Sequence, residues 1–285
     1  MTPAGKIQAR AARAQFAALI SRPEASIDLA HAALLIAAEE RPGLDVDRFR
    51  AQLLELGRQA RERVAAAQGS TVVALNSFLF GELGFAGNHE NYYDPANSLL
   101  NEVLTRRTGI PITLAVVYMD VGRRAGLEVE GIGLPGHFIV RAHSFTEHGA
   151  ETSLVDPFHG QTISEDECQQ RLDAMYAGQV PLTEEMLRPA TTREILVRLL
   201  RNLKAIYAQT QLYRPALSII DRILLLAPDA HDERRDRGAL LSQLGRFAAG
   251  IKEIETYLAR APDAPDAEHV REQLKQMRNQ LSMLN

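Results

Sequence analysis

A chain of 285 residues, 46% hydrophobic and 24% charged, is long enough to bury a real core and has the composition of a soluble globular protein. Its formal charge of −4 argues against direct nucleic-acid binding, which needs a basic face to displace counterions. The single cysteine, Cys168, excludes an intramolecular disulfide and any multi-cysteine metal site and fits a reducing, cytoplasmic setting, and no apolar run approaches the roughly 20 residues of a membrane helix.

The first 90 residues read as helices. Lys6, Arg10, Arg13 and Arg22 precede the first acid, Glu24, a composition that resembles a transit peptide. The alternative is an amphipathic first helix with Ile7, Phe16, Leu19 and Ile20 as its apolar stripe. Ser21-Arg22-Pro23-Glu24 combines a capping box with proline at the first helical position, predicting a helix through Ile27, His31, Leu34 and Leu35. Pro42-Gly43 ends it. Phe49, Leu53, Leu56 and Val64 carry the helical rhythm on toward Gly69, and a further helix is predicted over 72–83.

The middle is mixed. Asp94-Pro95 predicts a helix through Leu99, Leu100, Val103 and Leu104, stopped by Gly109. Pro111 starts the next, which runs to Gly126. Three β-rich runs follow at 127–134, 137–142 and 152–156, with the loop FTEHGAE between the last two. Ser164 and Glu167 form a capping box for a helix holding Cys168, Leu172 and Met175.

From about Thr191 the chain is helical again and repeats itself. Ala227-Pro228-Asp229-Ala230 recurs 34 positions later as Ala261-Pro262-Asp263-Ala264, and the same offset pairs Tyr213 with Phe247, Ile220 with Ile254 and Leu224 with Leu258. This helix-turn-helix period resembles tetratricopeptide repeats. Gly245-Arg246-Phe247 matches the usual inter-helix turn, whereas the first copy has Gln211 where glycine is common. Two units are fewer than such stacks usually need, so the tail is expected to pack on the preceding domain, with a capping helix from Asp263 onward.

A helix start, a histidine (His137) on one strand and an acid (Asp156) on the next form the layout of a Cys-His-Asp site. Asn97 to Val103, Arg106-Arg107, Gly109-Ile110-Pro111, Gly126, Pro135-Gly136-His137-Phe138 and Asp156-Pro157-Phe158 together resemble the transglutaminase-like core. The likeness is strongest to the bacterial branch with a tetratricopeptide tail, loosely labelled invasion-gene regulators, whose core also occurs in some F-box proteins. The resemblance implies that His137 falls on the catalytic histidine and Asp156 on its acid. The nucleophilic cysteine falls on Pro111, which has no nucleophile; Ile112 has none either, and Thr113 offers an unactivated hydroxyl. Cys168 lies on a different predicted helix and reads as a structural thiol.

Plainer roles exist for each residue. His137 can be a hydrogen-bonded core residue, Asp156 can end a strand before Pro157, and Arg106 and Arg107 can favour a helix C-terminus through the dipole. Asn97 and Asn101, one turn apart, would share a helix face and either line the cleft or hold a neighbouring loop. His89, His143, His148 and His159 raise the question of a metal with His137, but no H-x-x-x-H or H-E-x-x-H spacing occurs, so no metal or other cofactor is expected.

The expected fold is α+β. A helical region at 1–90 covers a transglutaminase/papain-like core at 91–190 with a small antiparallel sheet, and an all-α tetratricopeptide-like tail occupies 191–285. The leading functional expectation is a non-catalytic, cytoplasmic protein-interaction or regulatory module with a protein or peptide partner. Asn97, Asn101, Arg106, Pro111, Thr113, His137 and Asp156 are the candidates for its cleft. The rival is a hydrolase or transferase in which the His137–Asp156 pair acts as general base without a cysteine.

Overall fold

The computed structural model describes residues 2–146 and 149–283. The chain divides into two compact units, Met1–Leu196 and Val197–Asn285. Among the described residues, no helix is long and apolar enough to cross a membrane.

The first unit begins with α1 (Pro3–Ile20), capped by the Thr2 hydroxyl, which accepts the Gly5 N–H. Phe16, Leu19 and Ile20 are buried, but Ile7, expected in the same stripe, is 69% exposed. The Ser21–Glu24 segment does not open the second helix as its sequence predicts. The Ser21 hydroxyl donates to the Ala18 carbonyl and so closes α1 instead. A single 3-10 turn at Glu24–Ser26 intervenes, and Asp28 caps α2 (Leu29–Glu40) by accepting the His31 N–H at 2.9 Å. Every residue of α2 from Leu29 to Ala38 except His31 is buried, which explains its alanine-rich, almost charge-free composition. Next come α3 (Val46–Ala65) and α4 (Thr71–Asn76), and the latter widens into a π turn at Ser77–Glu82 where a uniform helix was predicted.

The predicted helix at 94–109 is broken. Pro95–Ser98 form a 3-10 turn capped by Asp94, fully buried Leu99 takes an extended conformation, and α5 covers only Leu100–Arg106. Asn97 and Asn101 therefore do not share one helix face. Two short parallel strands, β1 (Ala86–Gly87) and β2 (Thr108–Gly109), tie the segment before the site to the start of α6 (Pro111–Ala125). α6 is the core helix: Ile112 and every residue from Leu114 to Met119 are buried. It packs on α2, α3 and α5 and on the sheet. At about 1.5–3 kcal/mol per large apolar side chain taken from water, it is a main source of the unit's stability.

The sheet is antiparallel with strand order β3 (Glu128–Ile132), β4 (Ile139–Thr146), β5 (Gly149–Asp156) and β6 (Gln161–Ile163). Its register pairs Ile132 with Ile139, Val140 with Val155 and Asp156 with Gln161. β6 had no clear signal in the sequence, being three residues long. His137 does not lie on a strand as its neighbours suggest; it stands in the turn between β3 and β4, its N–H bonded to the Leu134 carbonyl. α7 (Glu165–Tyr176) starts with the expected Ser164–Glu167 capping box.

The second unit takes up α8 (Thr192–Gln209) and continues through α9 (Tyr213–Leu226), α10 (His231–Gln243), α11 (Phe247–Arg260) and α12 (Ala267–Met283). Gln211 and Gly245, equivalent under the 34-residue offset, both hold the left-handed conformation at φ +57° and +69°. The turn geometry is thus kept in the first copy although the glycine is not. α12 closes the repeat with Val270, Leu274 and Met277 packed against Ile254 and Tyr257.

Candidate functional site

Asp156 is the last residue of β5 and is completely buried. Its carboxylate is fixed by the turn that follows: Oδ1 accepts the Phe158 N–H at 2.9 Å and the His159 N–H at 3.3 Å. Three cationic or polar side chains converge on it. His137 Nε2 lies 3.0 Å from Oδ1, while His159 Nδ1 and an Arg171 guanidinium nitrogen each lie 2.6 Å from Oδ2. Burial by itself pushes this carboxyl up, but His137, His159 and Arg171 overcome it and hold Asp156 well below the usual carboxylate range. The expected His137–Asp156 pair is therefore in contact. His159 and Arg171 were not anticipated. His159 stands three residues after Asp156, a spacing that a turn brings onto the carboxylate, whereas Arg171 arrives from α7 with no local signal.

Around this centre is an aromatic wall. His89 meets Phe158 edge-on at 4.5 Å between ring centroids, and Tyr92 meets it at 6.0 Å. Phe158 sits directly on Gly87, where an added Cβ would come within 2.5 Å of its ring, and the Gly87 N–H donates to the Phe158 carbonyl.

Asn97 holds the adjoining loop. Fully buried, it donates to the carbonyls of Asn91 and Tyr92 and accepts from Asn88 and Arg106. Arg106 also pairs with Asp94 at 2.8 Å. Thr113 joins the same frame: its hydroxyl lies 2.8 Å from the Asn97 carbonyl and accepts the Ile110 N–H at 3.1 Å. Asn101 is buried on α5 and donates to Glu102. Of the expected cleft residues, His137 and Asp156 thus meet, and Asn97, Arg106 and Thr113 form a loop-holding network beside them.

Where thiolate chemistry would start, the chain has Pro111 as the first residue of α6. Cys168 is buried in an apolar cluster with Ile132, Leu134, Ile139, Ile163 and Leu187. Burial there pushes its thiol up, away from thiolate character.

The histidines separate clearly. His143 lies on β4 against Thr152 and Glu130, and His148 falls outside the described residues. His137 and His159, with Asp156, bring three potential metal-ligand atoms within 4.8 Å of one another. Sequence spacing missed this group because its members come from a turn, a strand end and the following turn.

A histidine paired with a buried acid at one end of a small antiparallel sheet, in a chain whose helix α6 starts on Pro111 with no thiol, fits a transglutaminase-like core without its nucleophile. The chain belongs to the transglutaminase-like superfamily, whose profile matches residues 47–201. A tetratricopeptide-repeat match covers residues 203–275. A UPF0162 protein of Xylella fastidiosa is 36% identical over 90% of this chain and 92% of its own length. A UPF0162 protein of Vibrio cholerae is 29% identical over 70% of this chain and 73% of its own. The mouse F-box only protein 21 is 29% identical over 57% of this chain, a match confined to 26% of that protein. No solved structure matches.

Proposed function

We propose that this protein is a non-catalytic transglutaminase-like protein that works in the cytoplasm as a protein-interaction or regulatory module. The observation that carries the reading is the replacement of the nucleophile. Pro111 occupies the helix start, the Thr113 hydroxyl is committed to Ile110 and Asn97, and the one thiol is buried in an apolar cluster. Neither acyl transfer nor cysteine-dependent hydrolysis has a starting atom. His137 and half-exposed His159, with Phe158 and Tyr92 beside them and Asp156 buried behind the imidazoles, would suit a peptide segment carrying a polar or charged side chain. The repeat tail adds a second helical surface of the type used for protein partners. Direct nucleic-acid binding and membrane insertion form no part of this reading.

Affinity capture from lysate with wild-type protein and His137→Ala, side by side, tests it. The reading expects a specific protein retained by wild type and reduced at least about tenfold with His137→Ala, the scale of one lost charge-assisted contact. Thermal melts must show both proteins folded. Equal retention of the same partners would overturn the role given to the cleft.

One observation favours a second reading. The His137 imidazole stands 3.0 Å from the Asp156 carboxylate, and an imidazole beside an acid can serve as a general base. A hydrolytic turnover present in wild type and abolished by His137→Ala would establish that reading and displace the first.

A further inference from the structure

From the convergence of His137 Nε2, His159 Nδ1 and the Asp156 carboxylate, we infer a binding site for a divalent transition metal of the zinc type. Two imidazoles and one carboxylate are the donor set that such borderline ions take, and they leave positions open for water or an incoming ligand. The inference goes beyond the proposed function and requires no partner.

Ligands at about 2.0–2.2 Å around a tetrahedral ion lie roughly 3.4 Å apart. Here the histidine nitrogens already stand 3.0 and 2.6 Å from the carboxylate oxygens, and all three donors lie within 4.8 Å of one another. Bringing them onto an ion takes shifts of about an ångström, within the reach of side-chain torsions.

The site is built before any ion arrives. Asp156 is held by two backbone N–H groups, and the Gly160 N–H closes the turn onto the Asp156 carbonyl at 2.9 Å, which sets His159 beside the acid. Arg171 rests 2.6 Å from Oδ2 as an ion pair, the outer charged partner that a ligating carboxylate can keep. Access is graded: the His137 side chain is 15% exposed and that of His159 42%, so an ion enters past His159. Binding uses the lone pairs of His137 Nε2 and His159 Nδ1, so a proton on either nitrogen moves to the other ring nitrogen of a neutral imidazole or, from an imidazolium, to solvent.

The test is equilibrium dialysis of the purified full chain, stripped with chelator, against zinc, with cobalt as a spectroscopic substitute. Wild type should hold one equivalent and give the visible absorption of tetrahedral cobalt. His137→Ala and His159→Ala should each weaken binding at least about 100-fold, since losing an outer-shell partner alone costs 10–100-fold. His143→Ala, which alters a histidine bound to Thr152 and Glu130 on the sheet, should bind as wild type does. His159→Gln, which retains a polar side chain at the turn, gives the same answer should the alanine variant fail to fold. Less than a tenth of an equivalent on wild type would overturn the inference, as would binding unchanged by substitution at 137 and 159. Because no partner is present, either result leaves the capture experiment to be judged separately.

Discussion

At Asp156 two large electrostatic effects oppose each other, and the neighbours decide the outcome. Removing a carboxylate from water favours its protonated form, yet two imidazoles, a guanidinium and two backbone N–H groups surround this one and keep it ionised. Cys168 shows the reverse case. Burial is the largest effect there; Arg171 opposes it, but Glu165, Glu167 and Asp156 act with it, so the thiol is pushed up and stays protonated. Thiol-reactive reagents should therefore modify the native protein slowly at pH 8, with rapid stoichiometric labelling only after denaturation. Fast labelling of the folded chain, followed by colorimetric thiol titration, would contradict the structural role assigned to this residue.

At the scale of elements, the site depends on how closely a loop and a turn approach. The β1–β2 pair brings Gly87 under Phe158, and the Gly87 N–H holds the Phe158 carbonyl one residue before His159. Gly87→Ala places a methyl group 2.5 Å from the ring, so Phe158 must move and drag the Asp156–Gly160 turn with it. The expected cost is about 1–3 kcal/mol, as for an overpacked core position. It should be accompanied by faster amide exchange at residues 157–160 and no change in the exchange of α9–α11. A wild-type melting temperature with unaltered exchange at the turn would show that the ring is free to yield. Much of the element order was legible: the starts of α6 and α7 follow from Pro111 and Ser164, and the repeat in the tail from its duplicated Ala-Pro-Asp-Ala. The interrupted helix at 95–106 was not, because the break comes from burying Leu99 completely and no glycine or proline marks it.

For the whole molecule, acid sensitivity follows from carboxyls in both units. Burial raises Asp94 and Asp236, but the Ala96 N–H and Arg106 overcome it at the first, and Lys204 and Arg235 at the second, so both end below the ordinary value of 3.8. A folded carboxyl with a depressed pKa binds fewer protons than its unfolded counterpart. Its stabilisation is then complete above about pH 5 and is lost as pH falls through 3.8 and below. Urea titrations between pH 7 and pH 3 should show a plateau followed by a steep decline for each unit. A midpoint constant down to pH 3 would count against these ion pairs as contributors to stability.

The order of residues by itself determined the class of this protein. Helical periodicity, proline and serine at helix starts, the 34-residue repeat and the Pro-Gly-His and Asp-Pro-Phe pieces are local patterns, and local patterns are readable one segment at a time. The missing thiol at Pro111 was equally plain. Only the tertiary structure decided that His159 and Arg171 join His137 on Asp156, and that Asn97, Arg106 and Thr113 frame the loop beside them. Those meetings depend on a turn's direction and on helix α7 bringing Arg171 to the end of β5. Such long-range geometry leaves no spacing in the chain from which it could be read.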